Sequence, residues 1–354
     1  MVDVSILLHF LLLAALHGLT RAQTFVPNPA WRDTEIKLST DERITIAKDG
    51  IEKTLSMMVN ETGKLQLEDG NYGAMGNFFS QIAQFDMFAN QTTYKNRLLD
   101  FFSQALLFRP GFMQGNAHSI AAIQAYKAYN DSSFLDWAEI AWSGGESYTL
   151  TEDKVRTEKI SGKNITIPAI CSNLTMSGGT FEDNNPNTVY VSSLATGASS
   201  TLAEATPNQT YLNYARNSRE FYGNQLQNAR GDLLDGIGVD QCDPSGGTYP
   251  ANAGIMMEGL AALMSVVSKS DGVEQDLIEI VNKTVSNTGW HLSDGILRAD
   301  SKIQASDELV GQYIVRGLSA VYNRNMTESS LRTYAREYLG VQACLSASEP
   351  GYTY

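Results

Sequence analysis

Residues 118–142 read HSIAAIQAYKAYNDSSFLDWAEIAW, and they contain one complete helical hairpin in the sequence pattern. The first half, up to Tyr129, is rich in small and apolar residues and nearly free of charge, which is typical of a helix buried on most sides. Asn130 and the serines that follow it predict a turn and a helix N-cap. The second half combines apolar residues with Asp136 and Glu139, so it predicts a helix with one exposed face.

The same unit recurs along the chain, which favours a single repetitive domain. Exposed-type segments begin at Asn90, Asn208 and Asn325, and a further copy without the asparagine begins at Ser270. Buried-type segments precede them: GNFFSQIAQFDMFA (76–89), SSLATGASSTLAEA (192–205), NAGIMMEGLAALMSVV (252–267) and DELVGQYIVRGLSAVY (307–322). Together with a first helix from Asp41 to Val59, the pattern predicts about eleven helices. We therefore predict an all-α toroid of inner helices ringed by outer ones; an open α-solenoid is the alternative.

The two rims of such a toroid differ. Four long loops precede inner helices and share one rim, and function usually resides on loops of this kind. We therefore predict the functional site there, at the N-terminal ends of the inner helices, among Arg109–Ala117, Gly144–Tyr190, Leu226–Pro250 and Ser286–Ser306.

Residues 1–22 have the pattern of a secretory signal peptide. The apolar run from Ile6 to Leu16 is too short for a membrane span, and Thr20-Arg21-Ala22 fits a small-x-small cleavage site. An uncleaved signal anchor is the alternative, because the residues before the apolar run include Asp3 and no basic residue. We expect a barrel domain over residues 23–340 and an irregular tail over residues 341–354.

N-glycosylation sequons agree with secretion, and we expect an extracellular or cell-wall protein. A sequon in a secreted protein marks a surface asparagine. The motif N-x-S/T occurs at Asn60, Asn90, Asn130, Asn164, Asn173, Asn208, Asn282 and Asn325.

The three cysteines, Cys171, Cys242 and Cys344, allow at most one disulfide within the chain. We favour Cys171–Cys242, because both residues lie in long polar loops shortly before a Gly-Gly pair, and Cys344 then stays free. The sequence alone leaves the other pairings open.

The formal net charge is −13, and an acidic chain repels nucleic acids and anionic polymers. A neutral or cationic partner fits better. Only His118 and His291 lie beyond the predicted signal peptide, which argues against a histidine-rich zinc site or a Ser-His-Asp hydrolase. No phosphate loop or dinucleotide fingerprint is present. We expect no metal, no cofactor and a monomer.

Several segments resemble glycoside hydrolase family 76, the endo-α-1,6-mannanase group, in the order and spacing of their motifs. The resemblance covers about Tyr72 to Tyr338 and implies an (α/α)6 barrel, a six-hairpin toroid. It also implies a secreted glycosidase that acts on, or binds, α-mannan or a related polysaccharide of the fungal cell wall, so we expect a polysaccharide or oligosaccharide partner. The segments that carry it are AIQAYKAYNDSSFLDWAE, GGTFEDNNPN, SLATG, LAEATPNQTYLNYA, GGTYPANAGIMMEGLAAL and QYIVRGLSAVY.

The chain departs from the family at the catalytic position. The family carries two adjacent aspartates there, and counting back from Ile123 places that pair at Met113-Gln114. Glycoside hydrolysis normally uses two carboxyl groups, and Met and Gln supply neither. The alternative function is therefore a non-catalytic carbohydrate-binding or wall-associated protein on the same barrel. An α/α toroid that binds another protein is a third hypothesis.

Other residues are candidates for the site. Glu182, Asp183 and Asp307 are carboxylates that could replace the missing pair, although an adjacent Glu-Asp pair in a polar loop is usually a solvated surface feature. Candidates for sugar contact are rings that could stack on a sugar face and polar side chains that could bond its hydroxyls, with ordinary packing at the barrel mouth as the alternative. They are Tyr72, Phe181, Tyr249, Asn116, His118 and Asn252.

Arg316 lies in the middle of a predicted inner helix with apolar surroundings. We expect it to pair with an inward carboxylate and to hold inner helices together, with Asp307 and Glu308 as candidates.

Overall fold

The computed structural model describes residues 25–61, 64–66, 72–105, 112–168, 170–182, 185–187, 189–193, 195–228, 230–245, 247–298, 311–324 and 328–343. The predicted signal peptide, Cys344 and most of the C-terminal tail lie outside these ranges. The described residues form twelve α-helices. They are α1 Thr40–Ser56, α2 Tyr72–Phe88, α3 Lys95–Ala105, α4 Phe112–Tyr129, α5 Ser132–Glu146, α6 Glu152–Thr157, α7 Ala195–Ala205, α8 Gln209–Gln225, α9 Pro250–Leu263, α10 Val273–Val285, α11 Gly311–Asn323 and α12 Ser329–Ala343. A short 3-10 helix spans Lys269–Asp271.

Inner and outer helices alternate along the chain. The inner helices α2, α4, α7, α9 and α11 contact one another in that order, and each packs against the outer helix that follows it. Hydrogen bonds join the last inner helix to the first: Nη1 of Arg316 donates to Oδ1 of Asn77 over 2.6 Å, and Asn77 Nδ2 donates to the Tyr313 hydroxyl. An open solenoid has no such closure, so the predicted α/α barrel is confirmed. The described residues hold five of its hairpins.

Small residues let the inner helices approach closely. A Cβ atom added at Gly254 on α9 would lie 2.2 Å from the carbonyl carbon of Tyr313 on α11. One added at Gly259 would lie 3.0 Å from Cα of Gly197 on α7. Larger side chains at Gly254 or Gly259 would force the helices apart, which costs packing throughout the ring.

The short turns at the C-terminal ends of inner helices explain the recurring asparagine. Asn90 and Asn130 adopt left-handed conformations with φ of 52° and 50°, and asparagine tolerates this region better than most residues. The N-caps differ from the prediction of Ser or Thr: Oδ1 of Asn208 accepts from the Thr210 amide over 2.9 Å, and Asp131 caps α5 in the same way. Asx side chains can cap a helix as well as hydroxyls can.

The long loops contain short strands that were not predicted, because pairs and triplets of residues show no periodicity. Four of the strands form an antiparallel sheet in the order β5-β6-β7-β8, built from the loops that precede α7 and α9. The strands are β1 Val59–Glu61, β2 Lys64–Gln66, β3 Ile170–Cys171, β4 Leu174–Thr175, β5 Thr180–Phe181, β6 Tyr190–Ser192, β7 Gly236–Gly238 and β8 Asp243–Ser245.

Two loop boundaries also differ from the prediction. Helix α4 begins at Phe112, inside the loop expected over Arg109–Ala117, and α6 interrupts the loop expected over Gly144–Tyr190. Among the described residues, no helix is both long enough and apolar enough to cross a membrane.

A disulfide bond joins Cys171 to Cys242, with Cα atoms 5.1 Å apart. It ties the β3–β4 hairpin to the turn between β7 and β8. Nε2 of Gln225 on α8 supports the same hairpin by donating to the carbonyls of Cys171 and Leu174 over 3.1 and 3.0 Å. The long loops at this rim are therefore anchored to each other and to the outer layer of the barrel.

Candidate functional site

A shallow recess lies at the N-terminal ends of α7 and α9, on the rim that carries the long loops. Its lining combines apolar side chains with three polar ones. The lining residues are Ser193, Leu233, Leu234, Asp235, Asn252, Ile255 and Met256.

Asp235 is the carboxylate among the lining residues of this recess, and each of its oxygens accepts a hydrogen bond from a neutral group. The Tyr190 hydroxyl donates to Oδ2 over 2.7 Å, and Nδ2 of Asn252 donates to Oδ1 over 2.5 Å. The backbone amide of Asp235 donates to the Gly247 carbonyl over 3.1 Å. The side chain of Asp235 is half-buried, so it is oriented by its neighbours while part of it still meets solvent.

The sheet explains how Tyr190 reaches Asp235. Tyr190 pairs with Gly238 in the β6–β7 register, and its ring extends along β7. A Cβ atom added at Gly236 would lie 2.7 Å from two carbon atoms of this ring. The absence of a side chain at Gly236 therefore lets the ring lie flat on β7 and places its hydroxyl at the carboxylate.

Asp235 and Tyr190 were not among the site residues predicted from the sequence. In the sequence Asp235 is one of several aspartates in a polar loop, and nothing in its neighbours distinguishes it. Strand pairing and the start of α9 bring Tyr190, Asp235 and Asn252 together from three separate segments, and no local pattern encodes that meeting.

The predicted replacement carboxylates do not assemble around Asp235 within the described residues. Glu182 follows β5, two strands away from β7 and at the opposite end of the sheet. Strand geometry then separates its Cα from that of Asp235 by roughly 10 Å along the strands and roughly 10 Å across them. Asp183 and Asp307 lie outside the described residues.

The rings predicted to stack on a sugar occupy different environments. Phe181 is fully buried, and the Lys163 ammonium lies 4.3 Å from its ring centroid. It has no surface left for a sugar, so the prediction of stacking is wrong for this residue. Tyr249 is half-buried and precedes α9 as its N-cap residue. Tyr72 is the first residue of α2, and its side chain lies outside the described part of the chain.

Of the three polar residues predicted to contact a sugar, one lies in the recess and two are buried. Asn252 lies in the recess and bonds Asp235. Asn116 and His118 on α4 are only 6% and 3% exposed, which leaves them little surface for a ligand. The His118 ring packs edge-on against Phe79, with centroids 5.9 Å apart.

A buried ion pair crosses the barrel interior. Nε of Arg316 on α11 lies 2.7 Å from Oε2 of Glu258 on α9, and Nε2 of Gln124 on α4 donates to Oε1 of Glu258 over 3.0 Å. The inward partner of Arg316 is therefore Glu258, while the two candidates named from the sequence lie outside the described residues. This network links three inner helices.

A second group of charges closes the other end of the barrel. Arg324 donates from Nε and Nη2 to the two carboxylate oxygens of Glu204 over 2.8 Å each, and the Lys127 ammonium also donates to Glu204. Burial would raise the pKa of Glu204, but the hydrogen bonds and charges of Arg324 and Lys127 outweigh it and lower the pKa to about 2. Burial lowers the pKa of Lys127.

Most described sequons have exposed asparagines, as a glycan requires. Asn90, Asn130 and Asn208 lie at the short turns, on the rim opposite the recess, and Asn164 and Asn173 lie in the loop before α7. Asn282 differs, because its Nδ2 is enclosed within the protein on α10. Asn282 is half-buried, so the sequon there stays a prediction. The Asn60 side chain and Asn325 lie outside the described residues.

No family model matches the sequence, and no curated protein matches it. Solved structures do. An inactive variant of the family 76 α-1,6-mannanase from Salegentibacter, with two consecutive aspartates replaced and α-1,6-mannotriose bound, superposes with a TM-score of 0.64 at 14% identity, over 83% of this chain and 85% of the enzyme. Dfg5 from Chaetomium thermophilum, in complex with glucosamine, gives 0.59 at 12% identity, over 90% and 94% of the two chains.

The chain has the (α/α)6-barrel fold of these family 76 structures. An unsaturated glucuronyl hydrolase from Streptococcus agalactiae has a similar barrel, with a TM-score of 0.56 at 9% identity over 90% of this chain and 84% of its own. Such identities show the fold alone, and one fold can carry several chemistries.

Proposed function

We propose that the protein is a secreted, glycoside hydrolase-like protein of family 76 type that binds α-mannan or a related cell-wall polysaccharide at the recess rim without the family's hydrolytic mechanism. The observation that carries this proposal is the composition of the recess. Among the described residues its lining contains a single carboxylate, Asp235, on a fold whose hydrolases use a pair.

The sequence at the family's catalytic position supports the same proposal. The resemblance places the aspartate pair at Met113-Gln114, which falls in the first turn of α4 at the recess rim. The mannanase variant with both aspartates replaced is described as inactive and still holds mannotriose. A barrel of this fold without the pair therefore remains suited to binding a mannooligosaccharide.

A glycosidase is the second candidate, and the geometry of Asp235 favours it. The carboxylate is oriented by Tyr190 and Asn252 and meets solvent in a recess, as a catalytic group would be. Hydrolysis needs a second acid or base, which a residue outside the described ranges would have to supply.

Purified full-length protein incubated with α-1,6-mannan and its oligosaccharides separates the two candidates. Calorimetry measures binding, and chromatography measures product release. We expect binding without products. Products that disappear in Asp235→Asn, but persist in the exposed control Asp240→Asn, would establish the glycosidase instead. If no saccharide binds and no product forms, both candidates fail.

A further inference from the structure

Phe88 ends helix α2 on the rim opposite the recess, and its ring is exposed. The residue is 61% exposed, whereas every other aromatic residue whose burial the structure describes is buried or half-buried. A single exposed apolar side chain is ordinary on a protein surface and by itself indicates no site. What distinguishes Phe88 is the residue two positions further along the chain.

A predicted N-glycosylation sequon begins at that position. It consists of Asn90, Gln91 and Thr92, and its asparagine and threonine are both exposed, as glycan transfer requires. A chain of two residues spans at most about 7 Å. The first sugar on Asn90 therefore lies within reach of the Phe88 ring.

The backbone of the turn holds Phe88 and Asn90 in fixed positions relative to each other. The Asn90 amide donates to the Met87 carbonyl over 3.2 Å, and the Gln91 amide donates to the Asp86 carbonyl over 2.8 Å. With Asn90 in the left-handed conformation, these two bonds form a Schellman motif at the end of α2. The motif fixes the backbone from which the ring and the asparagine side chain both project.

The Asp86 carboxylate fastens the same turn from inside the barrel. Its Oδ2 accepts from the Tyr94 amide over 2.7 Å and from the Tyr129 hydroxyl over 2.9 Å. Asp86 is fully buried, so both bonds are shielded from water. Because the turn is ordered before any sugar is attached, a sugar that meets the ring has little further backbone entropy to overcome.

A second turn of the barrel has the same backbone feature and sequon without the ring. Asn130 is exposed, has a φ of 50° against 52° at Asn90, and begins a sequon that ends at Ser132. The residue two positions before it is Ala128, which offers no aromatic face. The chain therefore contains its own matched control for a contact between a glycan and a ring.

We propose that the first N-acetylglucosamine of an N-glycan on Asn90 packs its apolar face on the Phe88 ring. The transfer joins Nδ2 of Asn90 to C1 of the sugar, with loss of one amide proton and departure of the lipid diphosphate of the oligosaccharide donor. The C–H groups of the sugar then lie against the electron-rich face of the ring, and both apolar surfaces leave water. The inference rests on the secretion that the proposed function includes, and it is independent of saccharide binding at the recess.

Thermal unfolding of the full-length protein, produced in a eukaryotic secretory host, tests the contact. Thr92→Ala removes the sequon and keeps Asn90 at its left-handed turn, and mass spectrometry reports whether the glycan is present. We expect the Tm to fall by about 1–2 °C, the shift that loss of one small apolar contact produces in a chain of this length. In a Phe88→Ala background the same substitution should leave the Tm unchanged, because no ring remains to be covered.

Two further measurements separate stacking from a general effect of glycans. Ser132→Ala removes the sequon of the Asn130 turn and should leave the Tm unchanged. After an endoglycosidase has trimmed each glycan to its first sugar, the ring current of Phe88 should shift the N-acetyl methyl signal of the sugar on Asn90 upfield in NMR spectra. Phe88→Ala should abolish that shift.

Each alternative outcome contradicts a stated part of the proposal. An equal loss of Tm from Thr92→Ala in both backgrounds, an unshifted methyl signal, or an unmodified Asn90 beside glycans on Asn130 and Asn208 would overturn the inference and leave the proposed function intact. If no sequon carries a glycan, the inference fails together with the secretion in the proposed function. If the contact is found but α-1,6-mannan does not bind, the proposed function alone fails.

Discussion

The two ends of the barrel each hold an inward-facing carboxylate, and the two differ in their partners. Glu204, near the C-terminal end of α7, is bound by the guanidinium of Arg324 and the ammonium of Lys127. Asp235, at the N-terminal end of α9, is bound by neutral donors alone in a recess that meets solvent. Neutral donors alone do not mark a site, since Asp86 on α2 accepts only from the Tyr94 amide and the Tyr129 hydroxyl and is fully buried. Asp235 differs from Glu204 and from Asp86 because it combines neutral donors with contact to solvent.

The largest expected effect is on stability at the Glu204 end. Glu204→Gln leaves Arg324 and Lys127 buried without a counter-charge, and breaking a buried pair in this way costs about 3–5 kcal/mol in the free energy of unfolding. Asp235→Asn is the matched substitution at the other end and should cost about 1 kcal/mol or less, because no buried cation loses its partner. Urea denaturation of both variants measures the difference. Equal losses in the free energy of unfolding would show that the two carboxylates contribute equally to stability.

Acid should weaken the Glu204 end selectively. Since the folded pKa of about 2 lies below the ordinary value of 4.5, Glu204 contributes stability that is fully present above pH 4.5 and lost as the pH falls through 2. The shift corresponds to about 3 kcal/mol, of which about 2 kcal/mol should be lost between pH 6 and pH 3. Urea denaturation at these two values should show a smaller loss in Glu204→Gln than in the wild type, and parallel losses would contradict the assignment.

A smaller effect is expected at the recess, on binding. In Gly236→Ala the new methyl group meets the Val191 carbonyl oxygen of β6 and the Tyr190 ring, so β6 and the ring move away from β7 and Asp235 loses one of its two donors. A hydrogen bond to a charged group contributes about 1.5–3 kcal/mol, so we expect saccharide affinity to fall about tenfold or more. Calorimetry measures the affinity, and Tyr190→Phe is the comparison, since it removes the same hydroxyl without crowding the strand. An unchanged affinity in both variants would remove Tyr190 from the site.

The smallest effect is expected from the glycans. Asn90, Asn130 and Asn208 lie on the rim opposite the recess, so replacing each by Gln should leave saccharide affinity unchanged. Mass spectrometry of protein produced through a eukaryotic secretory pathway should find these sites occupied, and Asn282, whose Nδ2 is enclosed, unmodified. A change in saccharide affinity in the triple variant, or a glycan on Asn282, would contradict this arrangement of the two rims.

Much of the helical layer was predictable because its signals are local. The small, apolar residues 118–129 and the Asn130 turn are local signals that can be recognised from a few residues. The structure confirms an inner helix and an outer helix there. The start of α4 was misplaced, since Gly115 and Asn116 look like loop residues although α4 continues through them. Phe181 was a candidate for sugar stacking because it is an aromatic residue in a loop that leads into an inner helix, but the sheet buries it.

The sequence by itself determined the repeated hairpins and the all-α barrel, because helix periodicity and turn chemistry act over a few residues. The resemblance to family 76 also predicts that Met113-Gln114 stands where those enzymes carry an aspartate pair, and this stays a prediction. Only the tertiary structure decided which charges are neutralised: it paired Arg316 with Glu258, gave Glu204 two cations, and left Asp235 with the Tyr190 and Asn252 donors. Those partners come from segments far apart in the chain, and the strength of each interaction depends on burial, which exists only once the ring of helices has closed.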